Sequence, residues 1–201
     1  MTARRAATCW LAGGVLYLAL EAGAARAQSG YRYAHDFISD LGRPESPLSW
    51  AMNGALVIQG TMFLAGAVLA ARACGARSAR VFLVCAAANG VGNAVVATVP
   101  SGTSGVAWVH VTGAALAILG GNAAIAAGVT TVPTLDRPRW YRAASYGLAA
   151  LGLTSFALLA MTTTSVSVGL PGAVLERTSV YTIIGWQLLS AGLLLSRGRA
   201  T

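Results

Sequence analysis

VAWVHVTGAALAILGGNAAIAAG, residues 106–128, contains no Asp, Glu, Lys or Arg. At 1.5 Å per residue, a helical run of this length crosses the roughly 30 Å hydrocarbon core of a bilayer. Lipid supplies no hydrogen-bond partners, so a lone span must satisfy its own backbone N–H and C=O groups, which a helix does. Five further runs of this kind occupy about 7–25, 48–71, 80–99, 141–161 and 175–196. The expected fold is therefore all-α and polytopic, a single domain over residues 1–201 built as a bundle of six transmembrane helices with short loops. Composition agrees: the chain is 56% hydrophobic and 10% charged, against about a quarter charged in water-soluble domains.

All fourteen basic residues are arginine, and their placement predicts topology through the retention of basic residues in cytoplasmic loops. Arg4, Arg5, Arg72, Arg77, Arg80, Arg137, Arg139, Arg142, Arg197 and Arg199 fall on one side. Arg26, Arg32, Arg43 and Arg177 fall on the other, so both termini are expected in the cytoplasm. Insertion accounts for the net charge of +8, and no nucleic-acid partner is expected. Cys9, Cys74 and Cys85 lie on or near the cytoplasmic side, form no CxxC pair and read as small packing residues. Arg4, Arg5, the apolar run that follows and Ala25-Arg26-Ala27 also have the three parts of a cleavable secretory signal. A retained first helix is the expectation adopted.

Glycine, alanine, serine and threonine are abundant in the spans, and Gly13-Gly14, Gly90-x-Gly92 and Gly120-Gly121 read as sites of close helix packing. Trp50, Trp108 and Trp140 fall near span ends, where amphipathic rings collect.

Ionisable groups concentrate elsewhere, in the outer loop 26–47. Its stretch Tyr31-Arg-Tyr-Ala-His-Asp-Phe-Ile-Ser-Asp-Leu-Gly-Arg-Pro-Glu45 holds three of the six acids and one of the two histidines. Were it helical, the spacing of four would put Tyr31, His35 and Ser39 on one face and Asp36 and Asp40 on another. Gly42 and Pro44 would then stop that helix. Glu21 in span one, Asn53 in span two, Asn93 in span three, His110 in span four and Glu176-Arg177 at the head of span six map to comparable depth. These residues are expected to converge on one outward-facing pocket. Asp40, Glu176, His35, His110, Asp36 and Glu21 are the candidates for acid/base chemistry. Tyr31, Ser39, Asn53, Asn93, Arg177 and Trp108 are the candidates for substrate binding. Plainer readings stand beside these: Arg177 snorkelling to headgroups, Asn53 and Asn93 joining helices, His110 bonding a neighbouring carbonyl. Gln59, Asn122 and Gln187 lie deeper and read as structural. No HExxH, tri-histidine or GxSxG pattern occurs, so no metal site, cofactor or serine elbow is expected.

The string Ile38-Ser-Asp-Leu-Gly42, followed by Pro47, Asn53-Gly54 and Gly60, resembles the signature of a bacterial membrane family, domain of unknown function 998. The resemblance continues through Gly92 to Pro100, His110, Leu175-Glu176-Arg177 and Trp186. It implies a six-helix fold with a shared outer motif and no established reaction. The same string is distantly similar to membrane proteins related to Frag1 and autophagy modulators.

The leading functional expectation is a membrane-embedded acid/base enzyme, a hydrolase or isoprenoid cyclase, whose partner is a membrane lipid, isoprenoid or other amphipathic small molecule. Its site would face the extracytoplasmic side of the inner (plasma) membrane. Glu21 or Glu176 would donate a proton and His35 or His110 accept one. A small-molecule or ion transporter and a non-enzymatic binding or assembly protein are the alternatives.

Overall fold

The computed structural model describes residues 2–74, 79–131, 138–162 and 168–197. Arg77, Arg137 and Arg199 lie outside the described residues, as do the side chains of Cys74 and Arg197. Six helices span the described part: α1 Thr2–Ala27, α2 Ser49–Cys74, α3 Arg80–Thr98, α4 Ala107–Thr131, α5 Arg139–Thr162 and α6 Gly172–Arg197. Each contains a window apolar and long enough to cross a membrane. The largest departure from the expected boundaries is at α1, which begins five residues earlier; α6 begins three residues earlier, and α2 and α4 each end three residues later. The extra turn of α1 carries Arg4 and Arg5 with their side chains exposed.

Every helix packs on its neighbour in sequence, and α1 against α6 closes the ring, while α4 also meets α6 across it. Small residues decide how close these helices come. A Cβ on Gly60 would stand 2.9 Å from the Gly90 Cα, and one on Gly92 would collide with backbone atoms of Gly113 and Ala117. These glycines let α2 meet α3, and α3 meet α4, backbone to backbone, which matters where lipid is as apolar as the partner helix.

Two cores fill the ring. Around Trp186, which packs on Trp10 at 5.3 Å and on Phe63 and Phe82 at 6.1 Å, an aromatic cluster occupies the end that carries both termini. Trp10 donates through Nε1 to the Phe63 carbonyl at 3.1 Å, so its one polar atom is satisfied. Tyr17, Met52, Leu56 and Ile184 fill the other end together with Ile38 and Leu41 from the loop.

That loop is not the helix from Tyr31 that its spacing allowed. Residues 31–37 form turns, and a 3-10 helix covers only Ile38–Gly42. Residues three apart eclipse in a 3-10 helix, so Ile38 and Leu41 point the same way, into the bundle. Burying each contributes on the order of 2 kcal/mol relative to water. Asp40 closes the turn by accepting the Phe37 N–H at 3.1 Å, and Asn53 ends it by donating to the Gly42 carbonyl at 3.0 Å.

Candidate functional site

The polar residues of the loop end fall into three groups. The first is a buried clasp between α6, α1 and the loop. Glu176 accepts the Ile38 N–H at 2.5 Å and the Ser39 N–H at 3.4 Å, so its carboxylate caps the 3-10 helix from another part of the chain. Arg177 turns to the loop's acceptors. Its Nη1 donates to the Asp36 carbonyl at 2.7 Å and to the Tyr33 carbonyl, and its Nη2 donates to the Tyr31 hydroxyl. The guanidinium also lies over the Tyr33 and Tyr31 rings, 4.8 and 5.4 Å from their centroids. Glu21 balances this cation, with an oxygen 3.7 Å from Arg177 Nε, and its two oxygens share the single Tyr181 O–H at 2.8 and 2.9 Å.

Glu21 is 1% exposed and Arg177 7%, so the pair is buried and Arg177 does not snorkel. A guanidinium suits this place, because its planar fork addresses several carbonyls at once. Tyr31 donates to the Phe37 carbonyl at 2.9 Å, and burial raises its hydroxyl above the ordinary tyrosine range, which keeps the proton that this bond needs.

The second group lines a cleft of about 440 Å³ between residues 28–31, Asp36, Asp40, Arg43, Glu45 and Ser46. Each aspartate uses one oxygen for the loop itself: Asp36 accepts the Arg32 N–H at 2.6 Å, and Asp40 that of Phe37. The second oxygen of Asp40 lies 3.5 Å from Ser101 Oγ and 3.6 Å from Arg43 Nη1. Ser101 itself donates to the Ser39 carbonyl at 3.2 Å. Two further acceptors, Gln28 Oε1 and Ser46 Oγ, are buried and have no hydrogen-bond partner among the described residues.

The third group surrounds a void of about 50 Å³ under the 3-10 helix, where Ser39, Glu176, His110, Asn93 and Tyr17 meet apolar walls from Leu56, Val96 and Ile118. His110 is 8% exposed and its Nδ1 pairs with the Val99 carbonyl at 2.7 Å, which ties the head of α4 to the end of α3.

The expected single pocket is thus divided. Asp36, Asp40 and Tyr31 share the cleft, while Glu176, His110, Ser39 and Asn93 share the void. Glu21 and Arg177 hold the clasp, and Asn53 holds the end of the 3-10 helix. His35 is exposed and Trp108 is 69% exposed, and neither lines the cleft or the void. Trp108 to Ala is accordingly expected to shift the thermal midpoint by less than about 2 °C, the span of a surface substitution of up to ~0.5 kcal/mol.

Sequence reading did not single out Tyr181, Tyr17, Gln28 or Ser46. Spacing carried a signal for two of them, since Tyr181 stands one turn from Arg177 on α6 and Tyr17 one turn from Glu21 on α1. Among the described residues, no three His, Cys, Asp or Glu side chains come together as a metal-ligand set.

A family model described as "Protein of unknown function (DUF998)" matches residues 11–192. The chain belongs to this family. The match takes in the clasp, the cleft and the void together, from Tyr17 to Tyr181. Membership in DUF998 brings no reaction with it, so the chemistry must be read from the residues. No curated protein and no solved structure was found to match the chain.

Proposed function

We propose that this multi-pass membrane protein binds the polar head of an amphipathic molecule in the 440 Å³ cleft and performs acid/base chemistry on it, hydrolysis being the reaction that fits best. The observation that carries this reading is the cleft's surplus of acceptors. Three carboxylates, Asp36, Asp40 and Glu45, line it with one cation, Arg43, which is within 3.6 Å of Asp40 and 3.9 Å of Glu45, while Asp36 lies 3.7 Å from the Arg32 guanidinium. Such a lining suits a head rich in donors, such as a polyol or an amine, and disfavours a phosphate. The volume lies in the range of ordinary ligand sites, about 300–1,000 Å³. Cyclisation of an isoprenoid is less well supported, because it needs an enclosed apolar chamber and the apolar-walled void holds only about 50 Å³.

Asp40 is the residue suited to act as base. One of its oxygens is fixed by the Phe37 N–H, and the other, held only at long range by Ser101 Oγ at 3.5 Å and Arg43 Nη1 at 3.6 Å, is the one to take a proton from a water or hydroxyl in the cleft. The arginine-poor end carries this cleft, so by the basic-residue rule it faces away from the cytoplasm.

Mass spectrometry of lipids copurified with the protein tests the binding. An amphipath with a hydroxyl- or amine-bearing head, lost in Asp40→Asn and retained in Trp108→Ala, is the expected result. With that amphipath in proteoliposomes, Asp40→Asn should lower turnover by about 10²–10⁴-fold, the range for a general base. Wild-type protein that carries only bulk membrane lipid, or an Asp40→Asn variant that turns over normally, would overturn the reading.

A further inference from the structure

Below the void at Glu176 a second void of about 20 Å³ continues into the bundle. Tyr17, Asn93, Ala117, Ile118 and Val180 line both, so the two lie end to end. Gln59 and Asn89 line the deeper one. Counted along the helices at 1.5 Å per residue, Asn93 is about 8 Å from the loop end, and Tyr17, Asn89 and Gln59 are about 15 Å from it. The deeper groups therefore stand near the middle of the span.

The amides along this path are joined to one another. Asn93 donates to Gln59 Oε1 at 2.9 Å and to Asn89 Oδ1 at 3.3 Å, Gln59 donates to Gln187 Oε1 at 3.0 Å, and Asn89 donates to the Ala117 carbonyl at 2.8 Å. Yet Tyr17, 1% exposed and lining both voids, has a hydroxyl with no hydrogen-bond partner among the described residues, and so does Gln187 Nε2. A buried polar group without a partner costs about 1–3 kcal/mol, and more where lipid surrounds the protein.

From these observations we infer that the two voids hold a chain of ordered waters, which links Glu176 and the Tyr17 hydroxyl to the Asn93, Gln59 and Asn89 amides. Voids of this size admit water, which needs roughly 10–15 Å³ and two to four polar partners, and both conditions are met here. The column runs half-way through the bundle. Neither void reaches the packed rings of Trp10, Phe63, Phe82 and Trp186 that fill the other end, so water enters from one side only. The protein thereby gains a hydrated polar column near the membrane midplane without a leak through it. This inference is independent of the head-group reading, since it uses neither Asp36, Asp40 nor the cleft.

Water-to-amide magnetisation transfer on isotope-labelled protein in nanodiscs tests it. The Gln59 and Asn89 side-chain NH₂ groups, each donating only one bond within the bundle, should show cross-peaks to water. Asn122 is the internal control: it is 0% exposed, and Ile118, Ser179 and Thr182 occupy its hydrogen-bonding groups. A second measurement has opposite signs under the two possibilities. If water bonds the Tyr17 hydroxyl, Tyr17→Phe lowers the thermal midpoint by about 2–4 °C, whereas removal of an orphan hydroxyl raises it. Cross-peaks on Gln59 and Asn89 but not Asn122, together with a lowered midpoint in Tyr17→Phe, support the water chain. Absence of those cross-peaks, their equal presence on Asn122, or a midpoint that holds or rises would overturn it.

Discussion

Arg177→Ala is expected to destabilise the bundle by about 3–5 kcal/mol, the cost of removing one partner from a buried ion pair. The loss comes from several bonds that share one side chain. Glu21, 1% exposed, would keep only the Tyr181 hydroxyl against its charge, and the Tyr33 and Asp36 carbonyls would lose their donors. Equilibrium unfolding in detergent measures the change. Limited proteolysis separates its two parts, because the loop 28–48 should become the first site of cleavage once its carbonyls are released. Glu21→Gln added to Arg177→Ala should recover part of the stability by removing the stranded charge, a positive coupling that a double-mutant cycle reads directly. Arg177→Lys should restore the charge balance without restoring loop protection, since an ammonium lacks the fork that reaches Tyr31, Tyr33 and Asp36 together. If the loop stays protected in Arg177→Ala, the clasp does not hold it.

Gly92→Leu is the second large effect. Even a methyl group at this position would meet the Gly113 carbonyl and the Ala117 backbone, and backbone in a packed helix cannot step aside as a flexible side chain does. The only relief is for α3 and α4 to part. Their separation would also disturb the Asn89 bond to the Ala117 carbonyl. Overpacking of this kind costs about 1–3 kcal/mol for a modest insertion and more for a full side chain. Gly54→Ala provides the contrast, because its added methyl meets nothing within 4 Å. That substitution should be neutral or stabilise α2 by up to about 1 kcal/mol. A Gly92→Leu protein that melts with Gly54→Ala would show that the α3–α4 approach is not tight.

How far a sequence reveals such features depends on the range over which they act. Gly90 and Gly92 were recognisable as packing residues, since glycine in a membrane helix chiefly serves close approach of a neighbouring backbone. Which backbones they meet was not, because that requires the rotation of α3 relative to α2 and α4. Glu176 and Arg177 stood out as charges at the head of an apolar span. A helix-start acid and a snorkelling arginine would have looked the same in sequence. The structure separates these readings by bringing the loop 28–48 over α6, so that adjacent residues take opposite halves of the loop's backbone, Glu176 its N–H groups and Arg177 its carbonyls. The loop's own spacing misled, because Ile38 and Leu41 gain more from burial as a 3-10 turn than residues 31–39 would gain as a solvated helix.

Sequence by itself determined that this chain is a six-helix membrane-type bundle, because crossing a bilayer is decided by apolar length and charge, quantities that add up residue by residue along the chain. Only the tertiary structure decided that the outer polar residues form a clasp, a cleft and a void in place of one pocket. That division rests on hydrogen bonds such as the one between Ile38 and Glu176, whose partners lie 138 positions apart. Contacts at that separation follow from how the helices turn toward each other, and local sequence carries no record of it.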